Sequence, residues 1–228
     1  MSAATSRQEP VDLVIFDCDG VLIDSEVIST RSTVEALATV GYEVSEADGF
    51  RRFVGRSWRS IRKEIEADLG KPLPVSFEED VERQTLAQLA TSLQAIDGIG
   101  DALSRLDPPC CVASSSSVEW IRLGLQKADI LHHFEPHLFS ASMVENGKPA
   151  PDIFLYAAME MGATPPGVLV VEDSLPGVQA GVAAGMTVIG FTGGSHIIDK
   201  SVHGQMLRAA GAALIIDEMT ALPDVIAG

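Results

Sequence analysis

The chain has 228 residues, of which 46% are hydrophobic, so it can bury a sizeable core and has room for one domain with a small insert. Its formal net charge of −16 leaves no basic excess with which to contact phosphate backbones, and we therefore expect no nucleic acid partner. Residues 1–10 lack the apolar centre of a signal peptide and no later run is long and apolar enough to cross a bilayer, so we expect no membrane partner and a cytoplasmic location.

The first predicted strand ends in acidic residues. Leu13 to Phe16 is an uninterrupted apolar run, which is typical of a buried strand, and Gly20 interrupts this pattern. Asp17 and Asp19 therefore lie at the carboxyl end of a strand, which is the edge where open α/β sheets bind ligands. Acidic residues also favour ordinary turns, but two carboxylates at this edge suit a nucleophile or metal ligand with an acid/base partner.

The next part of the chain has a helical pattern with no convincing strand. Ser76 and Glu79 have the spacing of a capping box, in which a serine and a glutamate satisfy free N–H groups at the start of a helix. We expect an all-helical insert over residues 21–95, and a separate α/β domain formed by residues 1–20 and 96–228. The helices of the insert are predicted over residues 25–40, 46–53, 57–69 and 76–93.

From Ile96 onward, short strands alternate with helices. Ser116 and Glu119 have the spacing of a second capping box, at the start of one of these helices. Repeated strand–helix–strand units of this length indicate a parallel sheet with helices on both faces, which is a doubly wound α/β fold. The predicted strands are 110–113, 137–141, 168–171, 186–191 and 213–216, and the predicted helices are 99–106, 118–128, 152–161 and 175–184.

Polar residues also follow two later strands. Ser114 and Ser115 follow one of them, and Glu172 and Asp173 follow another. The carboxyl ends of parallel strands meet at the same edge of a sheet, so we expect these residues near Asp17. Carboxylates brought together repel each other unless a divalent cation lies between them, and hard oxygen ligands favour Mg²⁺.

Positive groups are expected at the same edge. Ser114 and Ser115 precede a helix whose free N–H groups make an anion site, and Lys148 in GKPAPD adds a positive charge. Each feature alone is also typical of helix caps or solvated loops, but a cation, an anion site and a free carboxylate together are what phosphoryl transfer requires. His196, in FTGGSHI, is expected in a loop near this edge, and we assign it no role.

In its motifs and their order, the sequence resembles the haloacid dehalogenase superfamily of phosphohydrolases. The matching motifs are DCDGVLIDS, the serine after CCVA, the lysine of GKPAPD, and VEDS. The resemblance extends over nearly the whole chain and is strongest to the β-phosphoglucomutase and phosphoglycolate phosphatase-like subfamily. It implies a Rossmann-like core with a helical cap inserted after the first strand.

The resemblance also implies roles for the acidic residues and the lysine. Asp17 is expected to be the nucleophile that forms an aspartyl phosphate, and Asp19 the acid/base that protonates the leaving group and then activates water. Lys148 is expected to orient and screen Asp17. The implied Mg²⁺ ligands are Asp17, the backbone carbonyl of Asp19, and Asp173, with Glu172 ligating directly or through water.

Substrate contacts are expected from both parts of the chain. The resemblance implies that Ser114 holds the phosphoryl group, and we also assign Ser115 and Gly20 to substrate binding. Arg56, in the segment Gly55-Arg56-Ser57, matches a cap loop that faces the active site in related enzymes. We hypothesise that its guanidinium recognises a second anionic or hydroxyl-rich part of the substrate, such as a sugar-acid carboxylate.

The resemblance leaves several activities to compare. Dehalogenases of the superfamily lack an aspartate at the position of Asp19, and mutases carry a histidine where this chain has Ser29. We therefore predict a monomeric, Mg²⁺-dependent phosphatase acting on a small phosphorylated sugar, sugar alcohol or sugar acid. A mutase of the β-phosphoglucomutase type and a non-catalytic phosphosugar-binding protein are the alternatives.

Overall fold

The computed structural model describes residues 10–53 and 58–228. The chain divides into two compact units. The first takes in the chain up to Ile23 and again from Ala95 to Gly228, and the second is Asp24–Gln94. Within the described residues, no helix combines the length and hydrophobicity needed to cross a membrane.

The first unit contains a six-stranded sheet with the order β3-β2-β1-β4-β5-β6. Every neighbouring pair in this sheet is parallel, which confirms the predicted doubly wound α/β fold. The order runs in opposite directions on the two sides of the β1–β4 pair, and ligands bind at such a switch point in open α/β sheets. The strands are β1 (Leu13–Phe16), β2 (Cys110–Ser114), β3 (Leu138–Ser140), β4 (Val168–Glu172), β5 (Thr187–Phe191) and β6 (Leu214–Ile216).

The α-helices lie in both units. In Asp24–Gln94 they are α1 (Glu26–Thr39), α2 (Glu46–Phe53), α3 (Trp58–Leu69) and α4 (Phe77–Ser92). In the sheet unit they are α5 (Ile99–Ser104), α6 (Val118–Lys127), α7 (Asp152–Glu160), α8 (Leu175–Ala183), α9 (Lys200–Ala209) and α10 (Leu222–Ala227).

Strands β1 and β4 form the centre of the core. All four residues of β1 are fully buried, and β4 is buried along its whole length. Parallel strands covered by helices on both faces read as continuous apolar runs, which is why the sequence pattern located these two strands closely. On one face of the sheet, Ile15 and Val170 pack in a cluster with Ile153 of α7 and Val178 of α8. The central strands are therefore a rigid support for the residues that follow them.

The second unit has its own apolar core. Leu37, Phe53, Ile65 and Phe77 are buried within it. The capping box predicted at Ser76 is wrong: the backbone of Ser76 is already helical, and its hydroxyl donates a hydrogen bond to Asp80 Oδ2 at 3.0 Å. The hydroxyl is thus directed to a side chain rather than to the free N–H groups of α4.

Helices α9 and α10 are absent from the sequence prediction. Only Gly204 and Leu207 of α9 are buried, while Val202 and Met206 are exposed, so its apolar pattern is weak. Gly204 also lowers the helix propensity of this segment. In the fold, a Cβ at Gly204 would lie 3.3 Å from Ile215 of β6, so the glycine allows α9 to lie close against the sheet.

Candidate active site

The acidic residues meet at the carboxyl ends of β1 and β4. Phe16 pairs with Val171 in the parallel register, and the Asp17 N–H donates to the Val171 carbonyl at 3.0 Å. Glu172 and Asp173 follow Val171 directly, so the register brings them beside Asp17. Ligand oxygens of Asp17, Glu172 and Asp173 all lie within 4.8 Å of one another, and the three residues are buried.

Lys148 joins two of these carboxylates. Its Nζ donates hydrogen bonds to Asp17 Oδ1 and Glu172 Oε1, both at 2.7 Å, and its side chain is only 5% exposed. Burial disfavours the charge of Lys148, but attraction to Asp17 and Glu172 outweighs burial and raises its pKa. The lysine is therefore a fixed cation against the carboxylate of Asp17.

Glu172 is held on its other side by the start of α8. Its Oε2 accepts hydrogen bonds from the backbone N–H of Ser174 at 2.8 Å and from the Ser174 hydroxyl at 2.9 Å. The same hydroxyl accepts from the Gly177 N–H at 3.1 Å and so caps the helix. A side chain at Gly177 would overlap the Glu172 carboxylate, so this close approach requires glycine.

The three buried carboxylates of this cluster would carry more negative charge than Lys148 alone can neutralise. Burial raises the pKa of Asp17 well above its ordinary value, with Lys148 opposing this rise and Glu172 and Asp173 adding to it. Burial likewise raises the pKa of Asp173, and Glu172 again adds to the rise. A divalent cation would favour the ionised carboxylates. The buried oxygen donors fit a hard cation such as Mg²⁺.

Two side chains donate hydrogen bonds to Asp19, and neither contact was predicted from the sequence. Its Oδ1 accepts from Trp120 Nε1 at 2.9 Å, and its Oδ2 accepts from the Ser116 hydroxyl at 2.7 Å. The capping box predicted at Ser116 and Glu119 is wrong, because Ser117 is the N-cap and accepts from the Trp120 N–H at 3.2 Å. The run of serines leaves the cap ambiguous by one residue, and the shift directs Ser116 to Asp19.

The four residues expected to bind substrate are found in different settings, and one of them lies outside the described residues. Ser114, at the end of β2, is 1% exposed, and its hydroxyl accepts from the Ser116 N–H at 3.0 Å. Ser115 is exposed at the start of the following loop. Gly20 has a φ of 78°, and a side chain there would overlap the Asp173 carboxylate. Arg56 lies outside the described residues.

Two histidines also contact Asp173. His196 Nε2 lies 3.2 Å from Asp173 Oδ2, and His203 Nε2 lies 2.6 Å from the Asp173 backbone oxygen. The loop that contains His196 does lie at this edge, but no sequence pattern selects His203. A histidine in the second turn of an unpredicted helix carries no local sign of its distant partner.

Comparison with known proteins identifies the family. Residues 11–185 match the family model of haloacid dehalogenase-like hydrolases. The chain belongs to the haloacid dehalogenase-like hydrolase family. It is an enzyme, and its phosphatase relatives place it among the phosphoric monoester hydrolases.

Individual relatives of this hydrolase cover most of its length. It is 34% identical to a 6-phosphogluconate phosphatase of Escherichia coli over 82% of this chain and 85% of the relative. A haloacid dehalogenase-like protein of unknown function from Agrobacterium tumefaciens is 41% identical, with a TM-score of 0.87 over 95% of this chain and 98% of the other. A hydrolase of the family from Deinococcus radiodurans, solved with bound phosphate and sodium, is 28% identical, with a TM-score of 0.78 over 96% of each chain.

Proposed function

We propose that the protein is a Mg²⁺-dependent phosphatase that hydrolyses a small phosphorylated sugar, sugar alcohol or sugar acid through an aspartyl phosphate. In this proposal the sheet unit is the catalytic domain and the helical unit is the cap. The observation that carries it is the buried contact between Lys148 Nζ and Asp17 Oδ1 at 2.7 Å, beside Glu172 and Asp173. A carboxylate fixed by a buried cation in this way is suited to attack a phosphorus atom.

The first step transfers the phosphoryl group to the protein. A carboxylate oxygen of Asp17 forms a bond to phosphorus, and the bond between phosphorus and the sugar oxygen breaks. Asp19 gives a proton to that oxygen, so the sugar leaves as an alcohol. Lys148 screens the charge of Asp17 against the incoming phosphate, and Ser114 with Ser115 supplies hydrogen-bond donors to the phosphoryl oxygens.

The second step releases phosphate. Asp19, now ionised, takes a proton from a water molecule, and the water oxygen attacks the phosphorus of the aspartyl phosphate. The bond between phosphorus and the Asp17 oxygen breaks, which restores the carboxylate. Ser116 and Trp120 each donate a hydrogen bond to one carboxylate oxygen of Asp19 and so orient this side chain.

The acidic residues would hold the cation. Asp17, Asp173 and the backbone carbonyl of Asp19 are the proposed ligands, with Glu172 ligating directly or through water. When bound, Mg²⁺ neutralises the charge that develops on the transferring phosphoryl group.

The substrate class rests on the relatives. The 34% identity to a 6-phosphogluconate phosphatase makes a phosphorylated sugar acid the first substrate to test. The hypothesis that Arg56 recognises a carboxylate of such a substrate stays a prediction. A small, soluble phosphorylated metabolite is the proposed partner, and we expect the protein to act as a monomer.

A phosphate-release screen tests the proposal. The full chain is incubated with 6-phosphogluconate, fructose 1-phosphate and other phosphorylated sugars, sugar alcohols and sugar acids, in Mg²⁺ and in EDTA. We expect release that requires Mg²⁺, and a loss of at least about 10³-fold in Asp17→Asn, which keeps the size of the side chain but removes the nucleophile.

Two other outcomes separate the alternatives. Binding of phosphorylated sugars without any phosphate release would contradict the proposal and favour a non-catalytic binding protein. Conversion of β-glucose 1-phosphate to glucose 6-phosphate in the presence of a hexose bisphosphate, at a rate well above phosphate release, would favour the mutase.

A further inference from the structure

Asp173 is held at two points by residues that follow β5. His196, in the loop between β5 and α9, contacts the carboxylate through Nε2 at 3.2 Å from Oδ2. His203, in α9, donates from Nε2 to the backbone oxygen of the same residue at 2.6 Å. One imidazole therefore restrains the side chain of Asp173, and the other restrains its peptide group.

Burial and close packing determine the position of the His196 ring. The residue is 7% exposed, and two glycines border its ring. A Cβ at Gly20 would lie 2.8 Å from His196 Cε1, and a Cβ at Gly194 would lie 2.7 Å from the same atom. Both positions must lack a side chain for the imidazole to reach Asp173.

His203 lies on a well-supported element. Helix α9 begins after Asp199, whose carboxylate accepts from the Val202 N–H at 3.0 Å and caps the helix. Gly204, the next residue after His203, is buried against β6. The imidazole of His203 is thus carried to Asp173 by a capped helix that packs closely on the sheet.

We infer that His196 and His203 are positioning residues that fix Asp173 for binding the divalent cation. The inference rests on the proposed function, in which Asp173 is a Mg²⁺ ligand. An ionised carboxylate only accepts hydrogen bonds, so an Nε2–H donor can hold one of its oxygens without competing for the cation. Fixing the ligand beforehand removes conformational entropy that cation binding would otherwise have to offset.

The test measures Mg²⁺ binding directly, by titration calorimetry on the full chain. His196→Gln retains a donor near the position of Nε2, and His196→Leu fills similar space without one. We expect His196→Leu to bind Mg²⁺ about 10–100-fold more weakly and His196→Gln to bind close to the wild type. The same contrast is expected between His203→Leu and His203→Gln, while His132→Ala, at an exposed site, leaves affinity unchanged.

A kinetic measurement separates positioning from damage to the fold. If His196 acts through the cation, the Mg²⁺ concentration for half-maximal phosphatase activity rises in His196→Leu, and most of kcat returns at saturating Mg²⁺. Equal Mg²⁺ affinity in the Leu and Gln variants would overturn the inference and leave the proposed function standing. A wild-type chain that binds no Mg²⁺ at millimolar concentration would overturn both.

Discussion

Asp19 differs from the other acidic residues of the site in how it is held. Asp17 and Glu172 share Lys148, whereas both oxygens of Asp19 accept hydrogen bonds from α6 and the serine run before it. The partners Ser116 and Trp120 are 97 and 101 residues away in the chain. An acid/base residue, the role proposed for Asp19, is effective only within hydrogen-bond reach of the reacting oxygen, so in this proposal the donors that orient Asp19 affect the rate.

Trp120→Phe should therefore reduce activity in a way that depends on the leaving group. The substitution removes one hydrogen bond to a charged acceptor, worth about 1.5 kcal/mol, which corresponds to about tenfold in rate. In the proposed mechanism an alkyl leaving group needs protonation by Asp19, while p-nitrophenolate hardly does. We expect kcat/KM to fall more for a sugar phosphate than for p-nitrophenyl phosphate, with Trp58→Phe as the matched control.

Equal losses of kcat/KM on the two substrates would contradict this and indicate that Trp120 contributes only packing.

The residues at the strand ends could be predicted from sequence because a buried strand is a short local pattern. Trp120 and His203 could not, since Trp120 contacts the carboxylate of Asp19 and His203 the backbone oxygen of Asp173, and only the folded sheet brings these partners near. Sequence thus predicted the acidic residues that meet around Asp17, together with Lys148, and it missed the contacts of Trp120 with Asp19 and of His203 with Asp173.

At the scale of single elements, the side chains that cap the helices were harder to predict than the residues at which the helices α1 to α8 begin. Both capping boxes had the right residue types, yet Ser76 has helical backbone and the cap of α6 is Ser117 rather than Ser116. A shift of one residue changes which serine satisfies a helix N–H and which one faces Asp19. Local spacing does not resolve this choice within a run of serines, because the turn after β2 decides it.

The two serines allow a paired stability test. Ser117→Ala removes a hydroxyl that accepts from the Trp120 N–H, so we expect a loss of about 1 kcal/mol in the free energy of unfolding. For a chain of this size that corresponds to a Tm lower by about 2–4 °C. Ser76→Ala removes no cap and should change Tm much less. Thermal unfolding followed by circular dichroism measures both, and a larger loss for Ser76→Ala would contradict the assignment of caps.

At the scale of the whole molecule, strand order determines whether there is a site at all. The alternating pattern predicts parallel strands but does not state which strands are neighbours. In the structure β1 lies between β2 and β4, which brings chain segments more than a hundred residues apart, such as Phe16 and Val171, into register. Long-range pairing of this kind leaves no trace in local periodicity, and only the likeness of the four motifs to a known family anticipated it.

The proposed Mg²⁺ site predicts that the stability of the whole chain depends on cation and pH together. Burial raises the pKa of Asp17 and Asp173 in the metal-free protein. Between the ordinary pKa of aspartate, about 4, and these raised values, the native state binds more protons than the unfolded state, so their contribution to the free energy of unfolding falls as pH rises. In the proposed function Mg²⁺ binds the ionised carboxylates, and its stabilising effect should therefore grow with pH.

Thermal unfolding in EDTA and in Mg²⁺, at about pH 5 and about pH 8, measures this coupling. At a free Mg²⁺ concentration about 100 times Kd, we expect a stabilisation of about 2.7 kcal/mol at the higher pH and less at the lower pH. Asp173→Asn is the control, because it removes one buried charge. We expect this variant to be more stable than the wild type in EDTA at about pH 8, and to lose most of the stabilisation by Mg²⁺. A Mg²⁺ effect that is equal at both pH values, or unchanged in Asp173→Asn, would mean that the cation binds elsewhere.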